Sequence, residues 1–310
     1  MSNLLGCVCW AIFLLLVSAW TPIFGPFFSL LTPLPFLYYS IKFGPYQAMK
    51  LVIFTALIIA IIANLLGQLR IILVLLEFSA LGLVLAEFFR RNISFGYTIL
   101  LATVFMLLLG MGSLFFIGLN RDMSISEMLI NYFDNNIQAT FKTYQEVAIN
   151  NKTELQLASL KKAFISIISK IYPSLIIIGA GFTVWFNIVI SKPFFELRNL
   201  NYPDFGPLDR WKTQDQLVWG GIVAGVVLFL SSGYFSFIAI NVLIVIMVIY
   251  LFHGISIVLF YLNKYHIPSW VRIGVYLLII VQHFFLAILA LMGLFDQWMD
   301  FRKIHKKIDS

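Results

Sequence analysis

The sequence predicts an all-α protein, a polytopic transmembrane helix bundle of about eight spans plus one proline-broken segment, re-entrant or short. Three observations predict it. Residues 71–89, 99–119, 171–190, 238–262 and 271–294 are apolar and almost uncharged, and runs of about 17–25 such residues cross a hydrocarbon core roughly 30 Å thick. The chain is 61% hydrophobic and 11% charged, whereas roughly a quarter of residues are charged in soluble domains. The cations behind its net charge of +7 gather in the junctions between apolar runs, as in cytoplasmic loops that meet anionic headgroups. That distribution makes membrane lipids a partner and speaks against nucleic acid.

The first helix, 4–20, ends at Trp20, an interfacial anchor. No Lys or Arg precedes it and no small-residue cleavage pattern follows, so it reads as a retained helix rather than a removed signal. Cys7 and Cys9 both lie inside this apolar run and read as small packing residues, not as a disulfide framework or a zinc site. Residues 22–45 then hold Pro22, Pro26, Pro33, Pro35 and Pro45, interleaved with Phe24, Phe27, Phe28, Phe36, Tyr38, Tyr39 and Phe43. Proline removes a backbone donor and clashes with the preceding turn, so this stretch cannot be one regular helix. Irregular backbone at membrane depth persists only where protein or a water-filled cavity covers it. Residues 24–46 are therefore the candidate binding or re-entrant element, with an ordinary helix of kinked entry as the alternative.

Spans are expected at 49–66, 69–89 and 95–119. Residues 121–170 break the pattern: Ile125, Met128, Leu129, Tyr132, Phe133 and Ile137 recur at helical spacing. Ser124-x-x-Glu127 and Thr153-x-x-Gln156 are capping-box starts on either side of Asn150-Asn151. Two amphipathic helices, as an interfacial hairpin, are expected there. A span at 173–190 leads to a loop at 191–216 whose prolines and Trp211 place it on the headgroups, and spans at 217–230, 235–262 and 269–294 close the chain. The basic tail from Phe301 to Lys307 puts the C-terminus in the cytoplasm, and eight spans put the N-terminus there too. The expected organisation is an N-terminal membrane module over 1–190, containing the hairpin, and an interfacial loop with three spans and the tail over 191–310.

Thr32-Pro33-Leu34-Pro35, Phe43-Gly44-Pro45, the stretch 75–87 with Gly82, and the ending Gly293-Leu294-Phe295-Asp296-x-Trp298-x-Asp300-Phe301-Arg302 resemble the YybS-like family of bacterial polytopic membrane proteins. The resemblance covers nearly the whole chain and implies a multi-pass protein of the bacterial cytoplasmic (inner) membrane; the family has no established biochemical activity. More distantly, the first two-thirds resembles the substrate-binding S components of energy-coupling-factor transporters, which hold a vitamin or metal ion beneath a loop after the first helix. The proline-rich segment and Gly44-Pro45 stand where that loop and the next helix would fall. Two departures are plain: Ala11 is followed four residues on by Leu15 rather than a second alanine, and three C-terminal spans are additional.

An ionisable group inside a span is expensive and marks a functional candidate by default. Glu77 stands among Leu and Ile in its span, with Arg70 seven residues earlier on nearly the same helical face. With Phe24, Phe28, Pro33, Pro35, Tyr38 and Tyr39 it forms the substrate-binding hypothesis, one cavity walled by aromatics; a structural bond to a neighbouring helix is the competing role. Glu87 sits four residues before Arg91, the favoured order for a helical pair. His253 and His283 lie in consecutive spans, where two histidines could meet, relay a proton or bind a metal. No His-x-x-x-His or Glu-x-x-His spacing supports a metal, and bonding across the bundle is the plainer role. Asn187 and Asn241, with Asn64, suit interhelical hydrogen bonds.

No phosphate-binding Gly-x-x-x-x-Gly-Lys, no His-Glu-x-x-His and no Gly-x-Ser-x-Gly occurs, so the sequence points away from an enzyme and implies no cofactor. The leading expectation is an integral membrane protein that binds a small molecule, as a transporter or as its binding subunit, with membrane-protein partners. The alternative is a scaffold that organises an envelope or division assembly through the hairpin and the basic tail, and a lipid-modifying enzyme comes third.

Overall fold

A computed structural model describes residues 2–21, 25–65, 67, 70–119, 127–129, 131, 134 and 151–303. Every regular element among them is helical. In chain order these are α1 (Ser2–Trp20), α2 (Gly25–Leu30), α3 (Pro33–Phe43), α4 (Pro45–Leu65), α5 (Arg70–Arg90), α6 (Phe95–Leu119) and α7 (Asn151–Leu197), then a 3-10 turn (Leu208–Arg210). The last four are α8 (Leu217–Leu230), α9 (Tyr234–Lys264), α10 (Ser269–Val281) and α11 (His283–Met299).

The fold is all-α, and the chain is a multi-pass membrane protein, but the expected eight spans are not all present. Among the described residues five helices are long and apolar enough to cross a membrane: Pro45–Leu65, Ile71–Arg90, Phe95–Leu119, Lys162–Leu197 and Tyr234–Lys264. A sixth exists only if α10 and α11, bent by 101° at a break, count as one span. The apolar stretch Leu5–Ser18 within α1 and the helix Leu217–Leu230 are shorter. For α8 the reason is length: at 1.5 Å per residue, its 14 residues reach about 21 Å, short of a core roughly 30 Å thick.

By internal contacts the chain falls into two compact units, Met1–Tyr132 with Gly179–Asp204, and Phe133–Ile178 with Phe205–Ser310. In the first, α3 is the buried piece. Phe36, Tyr39 and residues Cys7, Val8, Ala11, Leu15, Ala48, Leu51, Val52, Ile59 and Leu75 form its core. The proline-rich segment is indeed broken: α2 stops at Leu30, the Leu31 and Thr32 amides turn back to the carbonyls of Phe28 and Ser29, and Pro33, which has no N–H to leave unpaired, begins α3. Gly44 ends α3 at φ +86°, a conformation an L side chain would resist, and Pro45 opens α4. At Gly82 of α5 a Cβ would stand 2.5 Å from the Pro33 carbonyl oxygen and 2.8 Å from the Phe36 Cβ, so only glycine lets α3 lie this close. Asn92, at φ +51°, reverses the chain between α5 and α6.

In the second unit, α9 is the central helix, packed on α8, α11 and the 3-10 turn. Gly254 and Gly293 make the α9–α11 contact. A Cβ on Gly254 would collide with the Leu289 carbonyl, and one on Gly293 with the Tyr250 carbonyl. The break between α10 and α11 falls at Gln282, at φ −100° and ψ 92°, where no proline or glycine stands.

The helix expected to begin near Thr153 and the span after it are one continuous helix, α7. Of the first helix of the expected hairpin, only residues 127–129, 131 and 134 are described, all helical. The basic residues of the tail at 305–307 lie outside the described residues.

Candidate functional site

Among the described residues, the densest set of buried polar groups lies in the second unit, on α9, α11 and the two connecting segments that meet them. His253 of α9 is fully buried, and Asp296 of α11 and Arg302 are buried beside it at 2% and 5% exposure. His253 Nε2 lies 3.0 Å from Asp296 Oδ2. Arg302 Nη2 lies 2.8 Å from the same Nε2 and donates to the same Oδ2 at 3.1 Å. The other carboxylate oxygen of Asp296 accepts the Phe301 amide at 2.7 Å. Local geometry makes this reach possible: α11 ends with Asp300 in the left-handed region at φ 40°, so the chain doubles back and Arg302 returns to the helix it has just left.

Arg302 also organises backbone. Its Nη1 donates to the carbonyls of Asp209 and Trp211 and to the Ser256 hydroxyl, each at 3.0 Å. Ser256 Oγ in turn lies 2.8 Å and 2.9 Å from the carbonyls of Leu208 and Trp211. The segment Leu208–Trp211, the 3-10 turn and the residue after it, is thus backbone outside an α-helix with carbonyls met by side chains, the condition under which such backbone survives inside a membrane protein. Tyr261 fixes the returning turn by donating to the Phe301 carbonyl at 2.8 Å. At the end of α9, Asn263 donates to Asp209 Oδ2 at 2.9 Å and Arg272 donates to Asn263 Oδ1 at 2.7 Å. The Trp211 ring stands edge-on to the imidazole with centroids 6.2 Å apart, and Tyr250 lies roughly parallel to it at 6.4 Å. Among the described residues, His253 Nδ1 and Arg302 Nε are buried without a hydrogen-bond partner.

With Asp296 ionised, Arg302 charged and His253 neutral, the charges of the three cancel. Such a set can hold or pass a proton and can clamp two loops. Among the described residues, no group of three or more His, Cys, Asp and Glu is arranged to hold a metal.

The other sequence-picked residues are distributed as follows. His283 does not meet His253: it opens α11 at the Gln282 break and is exposed, thirteen residues before Asp296, or about 20 Å along the helix. Asn241 Oδ1 accepts the Ser174 amide at 2.9 Å and its Nδ2 donates to the Lys170 carbonyl at 2.8 Å. Those are the two groups an uninterrupted helix would pair with each other, so the Asn241 amide is spliced into α7 beside Pro173. Asn187 donates to the Leu30 carbonyl at 2.8 Å, which a helix C-terminus otherwise leaves unmet.

In the first unit, Pro33, Pro35 and Tyr39 are buried and Phe28 and Tyr38 partly buried; Phe24 lies outside the described residues. Tyr38 meets the Trp10 and Phe195 rings edge-on at 6.5 Å and 6.4 Å, and Lys42 Nζ lies 3.2 Å from its hydroxyl. Arg90 donates to Ser40 at 2.8 Å, tying the end of α3 to the end of α5. Glu87 pairs with Arg91 at 2.7 Å. Glu77 accepts a hydrogen bond from Ser113 of α6. It lies five residues before Gly82, about 140° around α5, so Glu77 and the α3-facing Gly82 are on different sides of that helix. Tyr202 donates to the Ile188 carbonyl at 2.9 Å, and burial pushes its phenol above the ordinary range.

His253 is legible in the sequence as an ionisable group inside a span, and its partners are not. Asp296 and Arg302 stand six residues apart across a helix end, a spacing that belongs to no motif, and Arg302 reads as part of a solvated basic tail. The legible signal was a carboxylate three residues after Gly293 in an apolar helix.

The chain belongs to the predicted membrane protein family DUF2232, whose family model matches residues 9–297. Neither the curated proteins nor the solved structures compared with it gave a match.

Proposed function

We propose that this protein is a small-molecule-binding subunit or transporter of the bacterial cytoplasmic membrane, akin in kind to the S components that its first two-thirds resembles, and not an enzyme. The supporting observation is the buried His253–Asp296–Arg302 set. Apolar side chains would hold helices together at least as well, and intramembrane ionisable groups occur mainly along substrate and ion paths. Interrupted helices add support: α2 and α3 are separated at Leu31–Thr32 in one unit, and α10 and α11 at Gln282 in the other, and a broken helix at membrane depth is kept only where protein or a water-filled cavity covers it. Its partners, on this reading, are membrane lipids, a small-molecule substrate and a membrane-embedded energising protein.

The test is purification of the tagged protein from its native membrane in mild detergent. Mass spectrometry then reads bound metabolites and co-purifying proteins. A stoichiometric metabolite, or an ATPase with a transmembrane partner, is expected. Recovery of envelope or division proteins with no bound metabolite would instead favour a scaffold and overturn the transport reading.

A further inference from the structure

We propose that the His253–Asp296 pair is a proton-binding site, and that the position of its proton governs the grip of Arg302 on the segment Leu208–Trp211. Nε2, Oδ2 and Nη2 form a near-equilateral triangle with sides of 2.8, 3.0 and 3.1 Å. If Nε2 carries a proton it donates to Oδ2, but it then faces Nη2, another donor, across the shortest side. If Nε2 is bare it accepts from Nη2, but it then faces the bare carboxylate oxygen, lone pair to lone pair. If the carboxyl carries the proton, its O–H and Nη2 compete for one imidazole lone pair. Each arrangement satisfies two sides and frustrates the third; the first two differ only in which ring nitrogen carries the proton, and the third holds one proton more.

The surroundings make that proton consequential. The groups facing His253 are Asp296 from α11, Arg302 from the returning turn, Tyr250 from its own helix and the Trp211 ring from the loop. The nearby charges are committed elsewhere: Asp209 to Asn263, Arg272 to Asn263 and to the Ile267 and Leu262 carbonyls, and Lys212 to Asp215 at 3.0 Å. A proton taken up from water at Nδ1 or at the carboxyl raises the buried set from net zero to one positive charge. Either the imidazolium repels the guanidinium or the neutral carboxyl ceases to hold it. Arg302 is what joins Asp296 to the carbonyls of Asp209 and Trp211, so proton uptake loosens that clamp. That this protonation bears on transport rests on the transport reading above; the proton site itself rests on the triangle.

The test uses the full chain in lipid nanodiscs with ¹⁵N-labelled histidine. Of its four histidines, His266, His283 and His305 are changed to Gln, leaving His253 alone. The expected result is a pH-dependent change in its nitrogen resonances, with a parallel change in Trp211 fluorescence. Asp296→Asn should shift the midpoint, a change in proton affinity of roughly tenfold or more. If Asp296→Asn does not fold, Asp296→Glu keeps the carboxylate at a new distance and should shift the midpoint too. A spectrum unchanged across the pH range in which the protein stays folded, or a midpoint indifferent to residue 296, would overturn the proposal. A titrating His253 with no bound metabolite or energising partner sinks the transport reading alone; a bound metabolite beside a non-titrating His253 sinks the proton site alone.

Discussion

Replacing Arg302 with Met preserves the length of the side chain and removes its fork of donors. Asp296, 2% exposed, would keep only His253 and the Phe301 amide as partners. Breaking a buried charge pair from one side costs about 3–5 kcal/mol, because the remaining charge stays desolvated. The Asp209 carbonyl also loses its donor, worth about 1–3 kcal/mol when left unmet, while Ser256 still covers Leu208 and Trp211. Arg302→Met should therefore lie at or above the top of the 3–5 kcal/mol range, and Asp296→Leu within it. The double variant leaves no unpaired buried charge, so it should fall at least about 2 kcal/mol short of the sum of the singles. The assay is unfolding of the purified protein in mixed micelles by titration with dodecyl sulfate, followed by tryptophan fluorescence. Single losses below about 1 kcal/mol, or additivity within about 0.5 kcal/mol, would show that the three groups do not act as one unit.

Gly254→Ala and Gly293→Ala each drive a methyl into backbone carbonyl rather than into a yielding side chain, and each should lower stability by about 1–3 kcal/mol in the same titration, whereas Gly274→Ala, with open space around it, should not. Asn241→Leu strips partners from the Ser174 amide and the Lys170 carbonyl and should cost about 2–4 kcal/mol; adding Pro173→Ala, which lets α7 close its own ladder there, should recover part of that loss, and no recovery would refute the splice. Glu87→Gln, at an exposed helical pair, should change stability by no more than about 0.5 kcal/mol, as read by the midpoint of thermal unfolding. In a background with Cys7 and Cys9 changed to Ser, a cysteine at Ser310 should resist a membrane-impermeant thiol reagent applied to intact cells, and labelling there would place the C-terminus outside.

The segment from Pro22 to Pro45 shows how far the sequence could be read. Two prolines at 33 and 35 dictate a break before α3, and Gly44-Pro45 dictates its end, so the interruption was legible. That α3 would be buried against α5 was not, because the contact depends on Gly82, some fifty residues later. Asn187 and Asn241 read as groups needing partners; the partners they have are backbone atoms of α2 and α7, and backbone carries no mark in the sequence. Glu77 read as a lone charge; its Ser113 partner lies 36 positions away.

The apolar runs, the scarcity of charge and the distribution of Lys and Arg determined by themselves that this is a helical multi-pass membrane protein, because hydrocarbon admits almost no other backbone without edges. They could not fix the number of spans, since run length measures composition, and composition is blind to the break at Gln282. Tertiary structure alone decided the site. A buried ionised side chain must find its counter-charge wherever the fold brings one near. Here the glycine contact of α9 with α11 and the left-handed turn at Asp300 carried Asp296 and Arg302 to His253 across more than forty residues of sequence.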